Sequence, residues 1–160
     1  MTRSVPLAEI TALLREALSG AAQTVTARPP QTARNGVNGE QINLYLYHVL
    51  PDPAMGNSVA SPGSPTPSNG YSIRLKYMVT AYDDDADAPG QELIGRVIGL
   101  FQDHPVLDVS DVENIQQVQV IMDPLTPEQL AALWASFQTG YCLSVCYEVR
   151  VVLAQGQDRE

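Results

Sequence analysis

The chain has 160 residues, a mass of 17.3 kDa, 44% apolar residues and a formal net charge of −9. That length suits one domain with one core, and no apolar run approaches the ~20 residues of a membrane helix. Nine Lys and Arg against eighteen Asp and Glu exclude nucleic acid as the main partner, because neutralising phosphates needs clustered cations.

The first segment, "MTRSVPLAEITALLREALSG", places Leu7, Ile10, Leu14, Ala17 and Leu18 on one face at helical spacing. Pro6 suits the first turn and Gly20 the exit. Glu9, Arg15 and Glu16 interrupt the apolar stretch, so it is no signal peptide. Synthesis in the cytoplasm is expected, and two cysteines in 160 residues agree with that. Residues 21–40 are polar and turn-rich and read as a loop. "QINLYLYHVL" (41–50) alternates Ile42, Leu44 and Leu46 against Asn43, Tyr45 and Tyr47, which predicts a strand covered on both faces.

Residues 51–70 hold five of the twelve prolines and read as a long exposed loop suited to partner contacts. "YSIRLKYMVTAY" (71–82) predicts a second strand, with Tyr71, Ile73, Leu75, Tyr77 and Val79 on one face and Ser72, Arg74 and Lys76 on the other. "DDDADAPG" follows as a turn. Asp83, Asp85 and Asp87 match the first three ligand positions of an EF-hand loop, but Ala88 and Ile94 stand where that loop needs Gly and Glu. A solvated acidic turn is the better reading.

"QELIGRVIGLFQDH" (91–104) is a helix carrying Ile94, Val97, Ile98 and Phe101 on one stripe. Gly95 and Gly99 within it suggest close approach to the sheet. "ENIQQVQVIMDP" (113–124) reads as a third strand with Val118, Val120 and Met122 inward and Gln117 and Gln119 outward. "TPEQLAALWASFQTG" (126–140) is a helix with N-cap Thr126, Pro127 in the first turn and Gln129 completing a capping box. Its buried stripe is Leu130, Leu133, Trp134 and Phe137, and Gly140 is expected to end it.

The last stretch, "YCLSVCYEVRVVLA" (141–154), alternates Tyr141, Leu143, Val145, Tyr147, Val149 and Val151 against Cys142, Ser144, Cys146, Glu148 and Arg150. Same-face residues four apart on a strand lie roughly 13 Å from one another, too far for a disulfide or shared zinc ligation. Buried thiols are expected. Fourteen residues make a long strand, and two readings stand. Part of it projects beyond its own sheet, presenting Glu148 and Arg150 to a neighbour, or a bent strand stays within the monomer.

No nucleophile–base set, phosphate-binding loop or catalytic context for His48 or His104 is present. His48 reads as a core or edge residue, and His104 as the end of a helix stopped by Pro105. No enzyme activity, cofactor or metal is expected. The order α-β-β-α-β-α-β predicts a single α+β domain, residues 1–155, with about three helices flanking a four-stranded mixed sheet and a polar tail at 156–160.

"INLYLYHVLPDPAMGNS", "LKYMVTAYDDD", "ELIGRVIGLFQDHPVL" and "LWASFQTGYCLSVCYEVRVV", in this order, resemble the cap or tail-terminator family of phage-tail-like contractile injection systems. These are the particles of the antifeeding-prophage and virulence-cassette type. The match runs over about residues 5–154. It implies a terminator-like fold and a structural protein, expected as a hexameric ring, that ends tube and sheath polymerisation distal to the baseplate. Sheath and inner-tube proteins are the implied partners, with no nucleic acid and no membrane insertion. Candidate assembly contacts are Asp52, Met55, Asn57, Glu148 and Arg150, together with the N-terminal helix and the 51–70 loop. A tail-completion or neck component at another position, or a small acidic adaptor, is the alternative.

Overall fold

In chain order, the computed structural model of the protein describes residues 4–52 and 71–154. It contains helices α1 (Leu7–Ala17), α2 (Gln91–Asp103) and α3 (Pro127–Phe137). The strands are β1 (Thr24–Thr26), β2 (Gln41–Pro51), β3 (Tyr71–Tyr82), β4 (Val106–Leu107), β5 (Ile115–Met122) and β6 (Ser144–Leu153). They form one sheet in the order β1-β2-β3-β6-β5-β4, parallel at β1–β2 and antiparallel at every other pairing.

The sheet thus has six strands where periodicity predicts four. The two extra strands are three and two residues long, too short to show an alternation. β1 lies inside the segment expected to be loop. Its pairing with β2 is secured by buried amides at the start of β2. Thr26 Oγ1 donates to Asn43 Oδ1 at 2.7 Å, and Gln41 Nε2 donates to Thr26 Oγ1 at 2.9 Å and to the Ala33 carbonyl at 2.6 Å. Gln41 and Asn43 are fully buried, a position tolerable only because their polar atoms are satisfied.

The first sheet face carries the main core. Ile42, Leu44, Leu75, Tyr77, Val79, Val118, Val120, Tyr147, Val149 and Val151 pack against Ile10, Leu14 and Leu18 and against Leu93, Ile94, Val97 and Phe101 of α2. A bond of 2.7 Å between Thr11 Oγ1 and the Tyr77 hydroxyl ties α1 to β3. Gly90 (φ +77°) lets α2 start hard against β3, since a Cβ there would meet Ala81 at 3.0 Å.

α3 lies on the opposite face. Trp134 and Phe137 cover Met78 and Cys146, with Tyr45 and Tyr47 at the margin. Its expected capping box is present, as Thr126 Oγ1 accepts from the Gln129 N–H at 3.2 Å and Gln129 Oε1 accepts from the Thr126 N–H at 2.9 Å. The left-handed residue that ends the helix is Gln138 (φ 57°), not Gly140.

Several side chains sit elsewhere than expected. Gly95 and Gly99 point away from the sheet, with open space where a Cβ would stand, so close packing does not account for them. Met122 is exposed. It keeps its phase with Val120 but lies past the covering helices, beside a cavity of about 350 Å³ lined by Phe101, Pro105 and Tyr147. Tyr141 precedes β6 and stacks edge-on against Trp134 at 5.6 Å, on the α3 side and away from the Tyr147 face.

Candidate docking surface

β6 settles the two readings of the long last strand. It is paired with β3 from Ser144 to Leu153 and with β5 from Tyr147 to Leu153, so it runs through the middle of its own sheet. Nothing of it projects from the described fold. The consequence is chemical as well as geometric. A central strand places Arg150 between Arg74 and Gln119, and Glu148 between Lys76 and Ile121.

On the face shared with α3, but beyond that helix, charged side chains meet in cross-strand rows. Arg74 stands opposite Arg150, and Lys76 opposite Glu148. Like charges directly opposite are unfavourable, and Glu148 resolves the conflict. Its Oε1 accepts from Arg74 at 3.1 Å and pairs with Lys76 Nζ at 3.1 Å, while its Oε2 accepts from Arg150 Nε at 2.9 Å. Lys76 also donates to Asp123 Oδ2 at 2.9 Å.

Glu148 is buried, with 7% of its surface exposed. Burial alone would raise its pKa, but hydrogen bonds from Arg150 and Lys76 outweigh it and hold the carboxyl below its ordinary value. For Lys76 burial pulls down, yet Asp123 and Glu148 together push its pKa up. Three cations thus meet two carboxylates. The face carries an excess positive charge on a molecule whose net charge is −9. Arg74 Nε and Ser72 Oγ are buried here without a hydrogen-bond partner among the described residues.

Of the expected contact residues, Glu148 and Arg150 fall together in this cluster. Asp52 is buried at the end of β2, its N–H donating to the Ser72 carbonyl at 3.1 Å. Met55, Asn57 and most of the 51–70 loop lie outside the described residues. Arg74, Lys76 and Asp123 are the members that sequence reading missed. Alternation put Arg74 and Lys76 on the polar face of β3, but only the β3–β6 register joins them to Glu148.

Two further features bear on docking. β1 pairs with β2 only at Gln41–Asn43, so Leu44–Pro51 has no outer strand among the described residues. A bulge between Leu46 and His48 breaks that edge, and His48 is exposed on it. Along α3, an apolar groove of about 540 Å³ is lined by Leu125, Leu130, Trp134 and Tyr141.

Among the described residues the site carries no reactive constellation. His48 and His104 lie on separate elements, and among the described residues no group of three His, Cys, Asp or Glu is placed to hold a metal. Both cysteines are free thiols. Burial, aided by the charge of Asp123, pushes the Cys146 thiol up to about 11, so it is neutral and inert at physiological pH. No helix among the described residues is long and apolar enough to cross a membrane.

Comparison with solved structures finds the same fold in two cryo-EM assemblies. One is the sheath/tube terminator of PVC, an extracellular contractile injection system, in its extended state. It has a TM-score of 0.67 and 16% identity, covering 99% of this chain and 60% of that one. The other is the tube-terminating cap of the anti-feeding prophage, with a TM-score of 0.67 and 15% identity over 99% of this chain and 57% of that one. The chain therefore spans less than two thirds of the length of either structure. No curated protein matches. The Pvc16 N-terminal domain family matches residues 8–160, and the chain belongs to that family.

Proposed function

We propose that this protein is a structural cap of a contractile injection system. It assembles into a ring, expected to be hexameric, on the end of the tube and sheath distal to the baseplate, and stops their growth there. The observation that carries this reading is the fold shared over 99% of the chain with two terminator structures, in a family whose domain spans residues 8–160. The role is non-enzymatic, and assembly takes place in the bacterial cytoplasm.

A terminator must dock on one side and refuse further subunits on the other, so it needs unlike surfaces. This sheet has them. Two helices cover one face, while the other is divided between α3 and the Glu148 cluster. Head-to-tail contacts between unlike patches close into a ring when the rotation per subunit allows. The β2 edge from Leu44 to Pro51, which has no outer strand among the described residues, offers backbone groups to a sheath or tube strand.

The test is particle length by electron microscopy, with and without this chain. Loss of the chain is expected to give broadly distributed or unstable tubes and sheaths, restored by supplying it in trans. Particles of unchanged, uniform length would overturn the proposal.

A further inference from the structure

We propose that the Arg74–Arg150 face receives the Asp83–Asp87 turn of a second copy of this chain. This rests on the ring reading above and names the two patches that meet in it.

The receiving patch is short of acceptors. Among the described residues, Arg74, Lys76 and Arg150 share only Glu148 and Asp123. Arg150 uses Nε alone, and its terminal nitrogens make no bond among the described residues. Ser72, with 5% of its surface exposed, has no partner for its Oγ among the described residues, and Arg74, two residues on, has none for its Nε. A buried polar atom left unpaired costs about 1–3 kcal/mol. The half-exposed Arg150 guanidinium can take a carboxylate from outside through its terminal nitrogens.

The donor is on the same chain. Asp83, Asp85 and Asp87 crowd one turn, and none of them forms an ion pair among the described residues. Asp84 pairs with Arg34 at 2.8 Å, while Asp83 Oδ1 and Asp85 Oδ1 accept backbone N–H groups of the turn, from Asp85 at 3.3 Å and Asp87 at 3.0 Å. The turn follows the C-terminal end of β3, whereas Arg74 lies near its N-terminal end. Ten residues of strand separate them by roughly 30 Å, so no molecule reaches its own patch. Two complementary patches far apart on one body define a head-to-tail contact. Because Arg150 and the turn are exposed, the contact is salt-sensitive.

The experiment is a charge swap read by sedimentation and light scattering, with urea titration confirming that each variant folds. One variant is R150E. The other carries D83K, D85K and D87K together. Each alone is expected to weaken self-association by at least about tenfold. An equimolar mixture restores it, because each new interface then pairs opposite charges. Wild-type assembly is expected to weaken between low and high salt.

Wild-type-like assembly by either variant, no rescue on mixing folded variants, or a strictly monomeric wild type would each overturn the proposal. Should R150E fail to fold, R150A replaces it, and unchanged self-association in R150A is equally fatal. Rings that ignore these substitutions, on particles of controlled length, would remove this contact and leave the cap reading standing.

Discussion

Glu148 sits where three cations converge, on a strand buried from both sides. Removing its charge leaves Arg74 and Arg150 facing each other with no carboxylate between them. E148Q is therefore expected to cost about 3 kcal/mol, as when one partner of a buried pair is removed, measured by urea unfolding at neutral pH. The pH dependence has a definite sign. The folded pKa of Glu148 lies below its ordinary value of 4.5, so its stabilisation is complete above about that pH. It is lost as pH falls through the folded value. The difference between wild type and E148Q should therefore shrink below pH 4.5. Cys146 gives a second residue-scale test. With its thiol raised to about 11, it should resist alkylation at pH 8, while the half-buried Cys142 reacts first. Peptide mass spectrometry after brief iodoacetamide treatment reads the order.

α3 is held to the sheet by a small cluster, Trp134 and Phe137 on Met78 and Cys146, so its capping box matters more than it would on a helix set in the main core. T126A should destabilise the protein by about 1 kcal/mol and speed Cys146 alkylation, because fraying α3 uncovers the thiol. α2 offers the opposite case. Gly95 and Gly99 occupy exposed helical positions with open space around them. G95A and G99A should each stabilise the isolated protein by up to about 1 kcal/mol, read as a rise in the urea midpoint. The capping box could be read from residues 126–129 because a cap is a contact between neighbours in sequence. The outward direction of the two glycines could not, because it depends on which face of α2 the sheet occupies.

At the scale of the molecule, the described residues leave two kinds of surface uncovered, a charged half-face and a strand edge. Deleting residues 56–68 removes only positions outside the described fold. The monomer should keep its circular dichroism and urea midpoint, while ring formation or docking is impaired. Unchanged rings together with normal particle lengths would count against a role for that segment.

By itself the sequence determined the three helices and the four long strands. Periods of 3.6 and 2 need no partner to be visible, and the cap at Thr126 is equally local. The resemblance in four ordered segments pointed to the family that spans residues 8–160. Tertiary structure alone decided the two short strands, the bulge in β2, the burial of Gln41 and Asn43, and the central place of β6. It also decided that Glu148 is the hub of a charge cluster and no part of a projecting arm. Each of these depends on strand order and register between residues far apart in sequence, as far as Tyr71 and Leu153, and alternation within a strand is the same whichever neighbours it acquires.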